Sequence, residues 1–254
     1  MQLFFRQVGT SQPLVILHGL FGSCDNWLTI SKVIAEQGFS VYAVDQRNHG
    51  RSPHAPSHTY PELAADLHDF LQQNNIENPI LVGHSMGGKT VMQYAMLYPD
   101  TFSKLVVVDI APKSYPVHHA EILKGLSAVP LTEIQNRNEA EAILSQYEPS
   151  PSVRQFLLKN LYRNEEGVFA WRINLPVIKQ YIELIGADLE NTQTIRTPTL
   201  FIRGAESRYI KDADFWTIQT LFPNVTLDTI ENAGHWVQAE QPEAFVKSLM
   251  NFAK

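Results

Sequence analysis

Short runs that are apolar at nearly every position alternate along the chain with stretches whose apolar residues recur every three or four positions. The runs are "PLVILH" (13–18), "SVYAVD" (40–45), "PILVGH" (79–84), "KLVVVDI" (104–110), "TLFIRG" (199–204) and "VTLDTI" (225–230). Runs apolar on both alternate positions read as strands covered on both faces, which is the pattern of a parallel sheet. Between them, Thr59 and Glu62 stand at capping-box spacing with Pro61 in the first turn, and Leu63, Leu67, Phe70 and Leu71 follow on one face. That combination predicts a helix. Trp27, Ile30 and Ile34 mark a second helix before Gly38, and Val91, Ala95 and Tyr98 a third before Pro99. Strand and helix alternate, so the chain predicts the α/β class with a mostly parallel, doubly wound sheet.

The alternation stops between Ala111 and Thr197, where the pattern predicts helices only, at 139–147, 152–161 and 175–185. A helical block inserted between two strands reads as a lid over the carboxyl edge of the sheet. The expected organisation is therefore a core of 1–111 and 198–254 with a lid of 112–197 inserted in it.

Composition narrows the function classes. At 254 residues the chain can bury one substantial α/β core. A net charge of −6, with no cluster of Lys and Arg, speaks against a nucleic-acid partner. The first twelve residues hold an apolar patch too short for a secretory core, and no run approaches the length of a membrane span, so a cytoplasmic location is expected. The single cysteine, Cys24, permits no internal disulfide and is expected to be a buried or loop thiol.

Candidate chemistry begins at "ILVGHSMGGKTV", 80–91, where a strand runs into Gly-x-Ser-x-Gly and then a helical pattern. This spacing fits a sharp strand-to-helix turn that lifts the Ser85 hydroxyl above the sheet as a nucleophile. A serine at neutral pH needs a base, and histidine is the usual one. Of nine histidines, His18 and His84 sit at strand ends, His49 in a turn, and His54, His58, His68, His118 and His119 on loop or helix surfaces. His235 differs: "ENAGHWVQAEQPEAF" places it in the loop between the last predicted strand and the last helix.

Taken together and in order, "LHGLFGSCDNW", "VDQRNHGRS", "VGHSMGG" and "NAGHW" resemble the α/β-hydrolase superfamily, and the first three resemble its YbfF-type esterase branch. The likeness spans essentially the whole chain. It implies an α/β-hydrolase fold and an oxyanion hole built from the backbone N–H of Met86 and that of Leu20, with Phe21 as the alternative. It also implies that Asp45, Arg47 and His49 are architectural. No metal or organic cofactor is expected, because the nucleophile and base carry the chemistry.

Two positions compete for the acid that orients the histidine. One lies in the turn after the strand that follows the lid, "RGAESRYI", where the expected place holds Ser207 and Glu206 falls one residue early. The other is Asp109, which closes the apolar strand "VVVDIAP" beside the expected position of Ser85. An ionisable group there is costly unless paired or used, so Asp109 is preferred over Glu206. Within the lid, Trp171 and Arg172 are expected near the pocket roof, Trp171 as a substrate contact or as a core residue.

The expected activity is hydrolysis of a small-molecule acyl ester or thioester of short to medium chain by Ser85, His235 and Asp109. Its rivals are carbon-carbon bond hydrolysis of ring-cleavage products, whose enzymes resemble a more glycine-rich loop after "HG", and non-catalytic ligand binding on the same fold. Serine rather than aspartate at 85 disfavours haloalkane dehalogenase and epoxide hydrolase chemistry.

Overall fold

A computed structural model describes residues 1–116, 119–189 and 193–254. The strands are β1 (Phe5–Val8), β2 (Gln12–Leu17), β3 (Phe39–Val44), β4 (Ile80–His84), β5 (Lys104–Val108), β6 (Leu161–Arg163), β7 (Phe169–Trp171), β8 (Thr199–Gly204) and β9 (Val225–Ile230). The helices are α1 (Leu28–Glu36), α2 (Tyr60–Gln73), α3 (Met86–Leu97), α4 (Ala120–Ala128), α5 (Arg137–Leu144), α6 (Pro151–Leu158), α7 (Leu175–Gly186), α8 (Phe215–Leu221), α9 (Val237–Glu240) and α10 (Pro242–Ala253). Seven strands form one sheet in the order β1-β3-β2-β4-β5-β8-β9. Within this sheet the β1–β3 pair is antiparallel and the other five pairs are parallel.

The strand order reverses between β2 and β4: the chain leaves β2 towards β3 on one side and later returns to β4 on the other. In a parallel sheet the two connections then part company above the carboxyl ends, leaving a crevice there. Leu17 pairs with Gly83 and His84 with Val108, so the loops after β2, β4 and β5 emerge side by side at this point.

Alternate residues of the buried strands feed two cores, as the two-residue period of a strand requires. Val15, Leu17, Leu81, Leu105, Val107 and Phe201 pack with Leu67 and Phe70 of α2 and Val91 and Ala95 of α3. Leu14, Ile16, Val82, Val106 and Ile202 pack on the other face with Ile30 and Ile34 of α1 and Phe245 and Leu249 of α10. The expected cap of α2 is present, with the Glu62 carboxylate accepting the Thr59 N–H at 3.0 Å and its hydroxyl at 2.7 Å.

The block between β5 and β8 departs from the helices-only expectation. It contains α4, α5, α6 and α7, but also the antiparallel β6–β7 hairpin, whose turn Asn164 closes by accepting the Val168 N–H on Oδ1 at 2.9 Å. Strands of three residues are too short to show a period, and the expected helix over 152–161 absorbed the start of β6. This block has its own core, in which Leu126, Leu144, Leu157, Trp171 and Ile178 pack against Phe21 and Met86. β1 was also unforeseen: Phe5–Val8 is a four-residue edge strand with polar residues at two positions. Among the described residues no helix is long and apolar enough to cross a membrane.

Candidate active site

The elbow after β4 is made of backbone packed against backbone. Ser85 has φ 54° and ψ −118°, a conformation that costs a non-glycine residue about 1–3 kcal/mol. Two hydrogen bonds hold it there: its N–H donates to Val108 O at 3.0 Å, and its carbonyl accepts Lys89 N–H at 3.1 Å, starting α3. A Cβ added at Gly83 would lie 2.2 Å from Gly87 O, and one at Gly87 would lie 2.4 Å from Leu17 O. The two glycines of the motif are therefore required by close approach of main chain, not by a freely turning loop.

Three loop ends converge on this elbow. His235 leaves the segment after β9 with Nε2 3.1 Å from Ser85 Oγ, and its Nδ1 lies 2.8 Å from Asp109 Oδ2. Asp109 follows β5 at φ 52°, is 0% exposed, and is fixed by its N–H donating to Ile202 O at 2.8 Å. Its carboxylate also accepts the Ser207 hydroxyl at 2.5 Å and the Gly204 N–H at 3.2 Å. Burial pushes the Asp109 carboxyl up to about 6, with the Ser207 hydroxyl opposing that shift. Glu206 is exposed, its N–H donating to Ala233 O at 2.9 Å. Ser207 occupies the place where the turn after β8 was expected to offer an acid, and from there it hydrogen-bonds the acid supplied by β5. The two candidate positions meet because β5 and β8 pair directly, Val108 opposite Ile202.

The imidazole of His235 packs against two rings. The Tyr209 ring stacks on it at 3.9 Å between centroids and 15° between planes, and the His84 ring lies 4.7 Å away. His84 Nε2 donates to His235 O at 2.8 Å, while burial lowers the His84 pKa to about 3 and keeps that ring neutral. A hydroxyl, an imidazole and a buried carboxylate in this sequence can pass the hydroxyl proton to Nε2 and stabilise the resulting imidazolium.

The loop after β2 forms the facing wall. Met86 opens α3, so its N–H belongs to the positive end of that helix. Phe21 has φ 61°, and its N–H donates to His49 Nε2 at 3.3 Å, so this amide is engaged behind the wall while its ring lines the cavity. Buried polar residues brace the loop: His18 Nε2 accepts the Gln46 N–H at 3.1 Å, and Asp45 accepts the N–H of Cys24 at 2.6 Å and of Arg51 at 2.8 Å. Arg47 pairs with Asp66 at 2.5 Å. Cys24 is buried, and desolvation raises its thiol pKa.

Ser85 and His235 open into a cavity of about 330 Å³ bounded by Leu20, Phe21, Phe156 and Trp236. A narrower cavity of about 40 Å³ joins at Ser85 and Leu20. His119, expected on a surface, lines both; His118 lies outside the described residues. Trp171 is a core residue of the inserted block, its Nε1–H donating to Leu126 O at 3.2 Å, and Arg172 stacks on Tyr162 at 4.3 Å. Sequence reasoning missed Tyr209 as a wall of the site and Ser207 as a partner of the acid, since Ser207 meets a carboxylate 98 residues away in the chain and the stacking of Tyr209 on His235 joins the turns after two different strands.

Comparisons with known proteins identify the family and the fold. A sequence profile described as the alpha/beta hydrolase fold matches residues 12–242. The chain is 42% identical to the sn-1-specific diacylglycerol lipase ABHD11 of Danio rerio, covering 98% of this chain and 80% of the relative. It is 38% identical to the esterase YbfF of Escherichia coli strain K12, covering 95% of this chain and 93% of the relative. A solved structure described as a marine microorganism esterase superposes with a TM-score of 0.96 at 42% identity, over 99% of both chains. By sequence and by fold, the chain belongs to the alpha/beta hydrolase fold family.

Proposed function

We propose that this protein is a serine hydrolase of carboxylic esters of short to medium acyl chain, acting through an acyl-enzyme. The observation that carries the proposal is the continuous path from Ser85 Oγ through His235 to Asp109 Oδ2, with contacts of 3.1 and 2.8 Å, opening into a 330 Å³ cavity. The esterase and lipase relatives support the same class of activity.

In this reading His235 Nε2 takes the Ser85 proton as Oγ attacks the ester carbonyl carbon. Asp109 holds the ring so that Nε2 faces the serine, and it stabilises the imidazolium. The amides of Met86 and Leu20 receive the carbonyl oxygen as it gains negative charge. His235 then gives its proton to the departing alcohol, leaving the acyl group on Oγ. Water, deprotonated by the same nitrogen, attacks the acyl carbon and releases the acid with Ser85 restored. Thioesters meet the same chemistry, with a thiol as the leaving group. The block over 112–197 serves as a lid: its core rests on Phe21 and Met86, so it shapes the space above the serine.

Steady-state hydrolysis of 4-nitrophenyl esters across pH tests this reading. Asp109 must be ionised to hold His235, and its burial places that ionisation at about 6. The pair titrates as a unit, so kcat/KM for 4-nitrophenyl butyrate is expected to be level at neutral pH and to fall as the pH drops through about 6. Undiminished activity at pH 4, or no turnover of esters from acetate upward, would contradict the proposal.

A further inference from the structure

One buried charge has no part in the chemistry just described. Lys89 lies one turn beyond Ser85 on α3, is 1% exposed, and lines the narrow cavity that opens at Ser85, Leu20 and Met86. Residues four apart share a helix face, and helical side chains lean back towards the N-terminus, here towards the serine. Its Nζ donates to Gly186 O at 3.2 Å and to Ala187 O, and lies 5.7 Å from the Tyr60 ring and 5.1 Å from the Tyr115 ring.

Those two carbonyls end α7 and account for two of the three ammonium hydrogens. Among the described residues the third has no acceptor. The Tyr60 and Tyr115 hydroxyls donate to Ile185 O and Tyr209 O, each at 2.7 Å, and Nζ meets these two residues over their rings and not through a hydrogen bond to either hydroxyl. The exposed Asp188 is the carboxylate whose field acts on Lys89, and it makes no direct ion pair with it. A buried cation whose hydrogen-bond acceptors among the described residues are all neutral carbonyls is expensive, and a well-placed anion beside it offsets part of that cost. Burial lowers the ammonium pKa to about 8, in keeping with an incompletely compensated charge.

We propose that the narrow cavity is an acyl subsite for short acyl groups ending in a carboxylate, with the Lys89 ammonium as the anion receptor. The assignment deepens the ester-hydrolase reading and rests on it. The cavity holds about 40 Å³, and at roughly 10–15 Å³ for each water-sized atom it takes three or four atoms beyond the α-carbon. A succinyl group matches that reach: its carbonyl carbon sits at Ser85 Oγ and its distal carboxylate meets Nζ. The alcohol portion then lies in the larger cavity. Hydrolysis of such a half-ester consumes one water and yields the dicarboxylate and the free alcohol.

The experiment compares monoethyl succinate with ethyl 4-methylpentanoate, whose acyl group has the same shape and no charge, by pH-stat titration of the acid released. The wild type is expected to favour the half-ester in kcat/KM. Removing one partner of a buried charge pair is expected to cut that preference by about 30-fold or more in Lys89→Met. A lysine that merely ties α3 to α7 would change both esters together and leave the ratio unmoved, which overturns the subsite. The wild-type ratio is read without any variant, so the inference stays refutable even if Lys89→Met does not fold. A wild type that favours the neutral ester sinks the subsite while leaving the ester-hydrolase reading standing; hydrolysis of neither ester sinks both.

Discussion

Replacing Ser85 by alanine is expected to lower kcat for 4-nitrophenyl butyrate by about a millionfold, with the fold intact. The size follows from the loss of the covalent route: without Oγ, neither His235 nor the oxyanion donors have a nucleophile to assist, and only residual assistance to water remains. The fold is spared because the strain at φ 54° resides in the backbone and its two main-chain hydrogen bonds, which alanine keeps. Unchanged circular dichroism and thermal midpoint, beside abolished turnover, make the check complete. Activity within about tenfold of wild type would mean that another group attacks the ester.

Asp109→Asn is expected to lower kcat/KM by about ten-thousandfold, and Glu206→Gln to leave it within about twofold. An amide beside Nδ1 can neither stabilise the imidazolium nor hold the tautomer that leaves Nε2 free to accept the serine proton. Glu206 is exposed on the turn and has no such relation to the ring. Stability separates this loss from unfolding. The folded-state pKa of Asp109, about 6, lies above its ordinary 3.8, so the native state binds that proton more tightly than the unfolded chain does. Wild-type stability through this group is therefore greatest below about pH 4 and declines as the pH rises to about 6. Asn carries no such titration, so the variant is expected to gain on the wild type in thermal midpoint between pH 4 and pH 7. A reversed ranking, with Glu206→Gln inactive and Asp109→Asn active, would move the acid to the β8 turn.

These residues differed in how plainly the sequence announced them. The six long strands showed themselves because Val, Ile and Leu fill both faces of a sheet covered on both sides, and Ser85 because its neighbours must be glycine for backbone to pass backbone. Asp109 was legible as a carboxylate closing an apolar strand, a placement too costly to be idle. The short pieces were not. β1 and the β6–β7 hairpin hold four and three residues per strand, too few for any period to register. Ser207 could be named as the place where an acid was missing, but not as the hydroxyl that supports one, since that depends on β5 and β8 lying side by side. Lys89 stands in "GGKTV" like any surface lysine of a helix; only the packing of α7 and two tyrosines over it shows a buried charge beside Ser85.

Passage of the acyl group through Ser85 leaves a covalent trace that can be caught. Acid quenching of the wild type during turnover of 4-nitrophenyl butyrate, followed by peptide mass spectrometry, reads this directly. One butyryl group is expected on the peptide carrying Ser85, absent from Ser85→Ala and accumulating in Asp109→Asn only as slowly as that variant turns over. Turnover at full rate with no acyl group on that peptide, or with the acyl group on another residue, would contradict it.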